Sequence, residues 1–138
     1  MTASGADHAP VVLVDARNVM RSRWPNFRED RFLELTRAWA EQEGARVIVV
    51  FDGRAPGGLV GVHELDGRTT VVGTEGEIAD DWIAAHAGEP ARDGARLWLV
   101  SSDRGLRERV AGDVERVIGG GSFAGTLEAL ERDRRSQS

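Results

Sequence analysis

The chain of 138 residues is predicted to fold as a single-domain three-layer α/β/α structure around a mainly parallel sheet. Continuous apolar runs alternate with amphipathic segments, several of those runs stop at an aspartate, and the length suits one core. The runs are "VVLVD", "ARVIVVFD" and "ARLWLVSSD", ending at Asp15, Asp52 and Asp103. Unbroken β-branched stretches of this kind mark strands buried on both faces, as in parallel sheets covered by helices.

Taken in order, residues 1–10 read as a disordered or flexible N-terminal tail, 11–131 as the domain and 132–138 as a flexible C-terminal tail. After the first strand, "FREDRFLELTRAWAEQEG" sets Phe32, Leu35, Ala38 and Trp39 at helical spacing and ends on Gly44, a natural C-cap. Asp52 stops the second strand, and the turn-rich "GRAPGG" follows. "LVGVHELDGRTTVVGT" is either an edge hairpin turning at Asp66-Gly67 or a loop leading to a strand at 69–72. A short helix starting near Glu77 places Ile78, Trp82, Ile83 and Ala85 on its apolar side. The third run leads into a helical "RGLRERVAG", a short strand in "VERVIGGG" and, in "SFAGTLEALERDRRSQS", a terminal helix that frays into a polar tail. The "GGGS" at 119–122 reads as a turn before that helix, with phosphate binding by its backbone the other reading.

Composition excludes several chemistries. There is no cysteine, hence no disulfide framework or thiolate metal site, and a reducing compartment fits. All 18 basic residues are arginine, which removes Schiff-base catalysis and any P-loop. The N-terminal stretch lacks a basic region and "VVLV" is too short for a signal peptide or membrane span, so a cytoplasmic protein is expected. The formal net charge of −5 on its own argues weakly against a nucleic-acid partner, because phosphate binders usually carry a basic face.

In a parallel sheet the carboxyl ends of the strands share one edge, where ligands bind. Asp15, Asp52 and Asp103 would meet there, joined by the acidic "TEGEIADD" with Glu75, Glu77, Asp80 and Asp81. A lone strand-end aspartate most simply caps a turn or a helix. Repetition at three ends is costly without a compensating cation, and an all-oxygen donor set favours Mg²⁺ or Mn²⁺. A bound ion would also let an acidic pocket accept a phosphodiester, with Arg17, Arg21, Arg23, Arg28, Arg54, Arg104 and Arg107 near the strand ends as phosphate contacts. An aspartyl phosphatase would need Asp-x-Asp where Asp15-Ala16-Arg17 stands, and a receiver domain needs a lysine. His8, His63 and His86 read as surface or structural, and Trp39, Trp82 and Trp98 as core. Trp24 either packs, the favoured reading, or stacks on a base.

The segments "VVLVDARNVM", "VIVVFDG", "EGEIADDWI" and "WLVSSDRGLRERV" occur in an order that resembles the YacP-like branch of the NYN domains, a PIN-like group of metal-dependent ribonucleases. The resemblance implies a Rossmann-like PIN fold and cleavage of RNA with Mg²⁺ or Mn²⁺. By position it implies that Asp15, Asp80 and Asp103 hold the metal, with Asp81 as a further metal ligand. Asn18 corresponds to the polar residue supporting the site and Asp52 to the second-strand aspartate. Arg17 stands where the family often has an aromatic residue, so an ionic contact would replace one made by a ring. The resulting expectation is a metal-dependent endoribonuclease with Asp15, Asn18, Asp52, Asp80 and Asp103 as catalytic residues and Arg17, Arg21, Arg23, Arg54 and Arg104 as RNA contacts. The alternative is a catalytically weak or inactive module binding RNA, a ribosome or a protein on the same fold; a third is a metal-stabilised structural domain. A low positive character also points to a ribosome or other protein that presents the RNA, with no membrane partner.

Overall fold

The computed structural model describes residues 9–137; His8 and the rest of the expected tail before Ala9, like Ser138, lie outside the described residues. Six strands form one sheet in the order β3-β4-β2-β1-β5-β6. They are β1 Val11–Asp15, β2 Arg46–Phe51, β3 Gly61–Glu64, β4 Thr69–Gly73, β5 Leu97–Val100 and β6 Arg116–Ile118. Every pairing is parallel except β3 with β4. The helices are α1 Ala16–Met20, α2 Glu29–Glu43, α3 Ala79–His86, α4 Glu89–Arg92, α5 Arg104–Val110 and α6 Gly120–Ser136.

Strand alternation divides the core between two faces. Val12 and Val14 of β1 join Val47, Val49 and Phe51 of β2 beneath α2 and α6, where Phe32, Leu35, Trp39, Phe123 and Leu127 are buried. Val11, Leu13 and Val50 point the other way, onto Ile83 of α3 and Leu106 and Val110 of α5. The central strands therefore carry apolar residues at successive positions because both sides are covered. Edge-on ring contacts tie the helices down: Phe32 meets Phe51 at 6.2 Å and Trp39 meets Phe123 at 4.9 Å between centroids.

Local signals set the boundaries. Gly44 ends α2 in the left-handed conformation at φ 68°, and the Ala45 N–H donates to the Ala40 carbonyl at 3.0 Å. The ambiguous middle segment is a hairpin. Asp66 Oδ1 accepts from the amides of Arg68 and Thr69 at 2.7 and 2.9 Å, an Asx-type turn that closes β3 onto β4. Two expectations change. The "GGGS" is no separate turn, because Gly120 and Gly121 form the first residues of α6. The segment from Arg132 is helical through Ser136, where Arg134 pairs with Glu34 of α2 at 3.7 Å and Arg135 with Glu131 at 3.7 Å.

Only Trp39 of the three core-assigned tryptophans is fully buried. Trp82 is half-buried and stacks on His86 at 3.8 Å. Half-buried Trp98 donates from Nε1 to Glu115 at 3.0 Å and lies under the Arg116 guanidinium at 4.7 Å. Amphipathic rings of this kind fill an edge while keeping a polar contact.

The connection after β1 runs to the α2 face and that after β5 to the α5 face. Adjacent strands whose continuations diverge leave a crevice between their carboxyl ends. Because Phe32 locks α2 to β2 beside that crevice, Phe32→Ala should lower stability by about 3–5 kcal/mol. Urea unfolding should then show an earlier midpoint with an unchanged slope.

Candidate metal centre and phosphodiester cleft

Asp15 ends β1 and is only 4% exposed. Its Oδ2 accepts from the hydroxyl of Ser101, the buried residue directly after β5, at 3.0 Å. The same Ser101 oxygen accepts from the Asp103 N–H at 3.1 Å. One hydroxyl thus couples the end of β1 to the turn that presents Asp103. Asp103 in turn caps α5, accepting from the Leu106 N–H at 2.8 Å through Oδ1. Its capping role and its place in the cleft coexist, since a second oxygen remains on the carboxylate.

Asp52 is coupled to Asp80 in a comparable way. Asp52 Oδ1 accepts from the Ala79 N–H at 2.7 Å and fixes the start of α3, one residue before Asp80. Its Oδ2 faces Arg17 Nε at 3.4 Å. Asn18 closes the remaining side. Its Oδ1 accepts from the Ser102 N–H at 2.9 Å, and Ser102 Oγ accepts from the Gly120 N–H at 2.8 Å. A Cβ on Gly120 would stand 2.2 Å from Asn18 Oδ1, so the close approach of α6 requires glycine there.

These residues line an open cleft of about 480 Å³ with Arg17, Arg21, Ser22, Ile78 and Ser102. Asp15, Asn18, Asp52, Asp80 and Asp103 all border it. Asp81 does not: it is exposed on α3 and pairs with Arg109 at 2.9 Å. Consecutive helical residues diverge by about 100°, so Asp80 and Asp81 cannot face the same way. Of the five arginines expected to contact RNA, Arg17 and Arg21 line the cleft. Arg23 instead bonds Glu128 on α6 at 3.2 Å, Arg54 pairs with Glu75 at 3.8 Å, and exposed Arg104 opens α5 outside the cleft lining. Ser101 carries no local sequence signal for this role: in "SSD" either serine suits a helix cap, and only the fold turns Ser101 toward Asp15.

The electrostatics follow from this convergence. Burial, then the neighbouring Asp80 and Asp52 charges, push the Asp15 carboxyl up to about 6 against the Ser101 hydrogen bond. Burial and the Asp103 and Asp52 carboxylates likewise raise Asp80. Among the described residues no three acidic or histidine side chains stand close enough to cage an ion as they are. The donor set is nevertheless the right kind for a hard divalent cation, since it offers only oxygen and leaves a buried carboxylate among like charges.

A model of the YacP-like NYN domain matches residues 12–138. The chain belongs to the YacP-like NYN domain family. The crystal structure of Rae1 (YacP) from Bacillus subtilis aligns with a TM-score of 0.65 at 23% identity, covering 93% of this chain and 80% of that one. A point mutant of the same Bacillus subtilis protein aligns with a TM-score of 0.63 at 23% identity over 93% of this chain and 82% of that one. No curated protein matches. This NYN domain therefore has the PIN-like nuclease fold that its motif order implies. No helix among the described residues is long and apolar enough to cross a membrane.

A raised carboxyl has a defined effect on stability. Folding favours the protonated Asp15, so this contribution is intact below about pH 4 and lost as pH rises through about 6. In EDTA, Asp15→Asn should stabilise the protein at pH 7 by about 2 kcal/mol and leave it nearly unchanged at pH 4. Thermal unfolding at the two pH values checks this; an equal shift at both would contradict it.

Proposed function

We propose that this NYN domain is a metal-dependent endoribonuclease that hydrolyses RNA phosphodiesters in the cleft between α1, α3 and α5. The convergence of Asp15, Asp52, Asp80 and Asp103 at one sheet edge, with Arg17 and Arg21 on the same cleft, is the observation that carries the reading. Family membership supports it.

Asp15, Asp80 and Asp103 would hold Mg²⁺ or Mn²⁺. Such an ion, when bound, lowers the pKa of a water and neutralises charge on a phosphodiester. The protein's own contribution is orientation. Ser101 holds Asp15 and the Asp103 amide through one oxygen, while Asn18 holds the Ser102 amide and so fixes the turn between them. Asp52 places Asp80 by capping α3. Arg17 and Arg21 supply the positive charge that draws a phosphate toward an otherwise acidic cleft.

The net charge of −5, with 23 acidic against 18 basic side chains, supports delivery of the RNA by a ribosome or another protein, because the domain as a whole repels a polyanion. The cysteine-free sequence supports a cytoplasmic setting.

Purified protein should cut a labelled single-stranded RNA with Mn²⁺ or Mg²⁺ and not in EDTA. The Asp15→Asn, Asp103→Asn double variant, prepared identically, should be slower by about a hundredfold or more. Cleavage in EDTA, or an equally active double variant, would overturn the reading; RNA binding by the wild type without any cleavage would favour the binding module. Arg17→Ala should weaken RNA binding and lower the slope of log affinity against log salt by about one. An unchanged slope would remove Arg17 from the phosphate contacts.

A further inference from the structure

Trp24 is the most exposed of the large apolar side chains, with 90% of its surface open, and so does not pack as the sequence favoured. The segment that carries it, between α1 and α2, is nevertheless tied to the domain on both sides. Ser22 Oγ donates to the Val19 carbonyl at 2.6 Å and to the Gly120 carbonyl at 3.4 Å. Arg23 bonds Glu128 at 3.2 Å. Beyond the tryptophan, the Phe27 N–H donates to the Met20 carbonyl at 3.3 Å, and the Phe27 ring meets Phe32 at 6.3 Å. An anchored segment thus leaves an indole in solvent.

Position and surroundings identify what it meets. Arg21 and Ser22 line the carboxylate cleft, and two residues of chain span at most about 7 Å. The Trp24 backbone therefore lies within that distance of the cleft wall. Of its exposed chain neighbours, Arg21 lines the cleft and Arg28 pairs with Asp30 at 3.6 Å, a charged setting unlike the apolar surround of a protein-binding anchor. A further large apolar side chain, Ile78, lines the cleft itself with 57% of its surface exposed. Aromatic and apolar surface interleaved with arginine beside a phosphodiester cleft fits a single nucleic-acid strand, whose bases stack while its phosphates pair with cations.

We infer that Trp24 is a stacking platform for an unpaired RNA base close to the scissile phosphate. The inference rests on the nuclease reading above. A base inside a duplex has both faces occupied by its neighbours and cannot lie on the indole.

The test compares wild type, Trp24→Ala and Trp24→Phe in Mn²⁺ on a short labelled RNA, either single-stranded or annealed to its complement. Wild type should prefer the single strand. Trp24→Ala should raise KM for it by about tenfold with kcat largely kept, Trp24→Phe should recover most of the loss, and the duplex should be insensitive to either change. Equal activity of Trp24→Ala and wild type, an equal loss on both RNAs, or a wild-type preference for the duplex would overturn the inference while leaving the nuclease reading intact. If wild type cuts neither RNA in Mn²⁺, both fall.

Discussion

The hydrogen bond from the Ser101 hydroxyl to the buried Asp15 carboxylate is the contact on which the rest of the cleft depends. Burying a carboxylate among other acids is unfavourable, and here neutral donors, the Ser101 hydroxyl and the Asn18 backbone amide, hold it in place. Because the same hydroxyl accepts from the Asp103 amide, the position of one acid fixes the approach of another. Rigidity of this sort is what a metal centre requires of its scaffold, and the cost appears as a carboxyl raised to about 6.

The sheet makes that contact available. β1 and β5 are parallel neighbours whose register pairs Val14 with Val100, so the next residue on each, Asp15 and Ser101, emerges at the same level. On the other side Asp15 pairs with Val50 of β2, and Asp52 follows two residues later. Helix caps then extend the arrangement beyond the sheet: Asp52 holds α3 and Asp103 holds α5. Carboxylates suit helix N-termini for their own reasons. The cleft therefore uses residues that also stabilise the elements presenting them.

Much of this was legible in the sequence. The three buried strands announce themselves because both faces are covered and every position must be apolar, and the aspartates mark where that burial ends. The hairpin was ambiguous because β3 is an edge strand whose Val62 is 60% exposed, so its pattern carries little alternation between core and solvent. Other features depend on partners far away in the chain. Gly120 is required by Asn18, Arg23 is drawn off by Glu128, and Asp81 is claimed by Arg109. Composition and local periodicity contain none of those pairings. Ser101 was visible as a polar residue at a strand end, but its alignment with Asp15 emerges only from the parallel register.

The claim that the strand-end acids form one cation site can be put to calorimetric titration of Mn²⁺ into the metal-free protein. Wild type should bind Mn²⁺ saturably and in competition with Mg²⁺, Asp81→Asn should bind as wild type does, and the Asp15→Asn, Asp103→Asn double variant should lose binding. Undetectable binding by the wild type, or binding by the double variant that matches it, would contradict the claim.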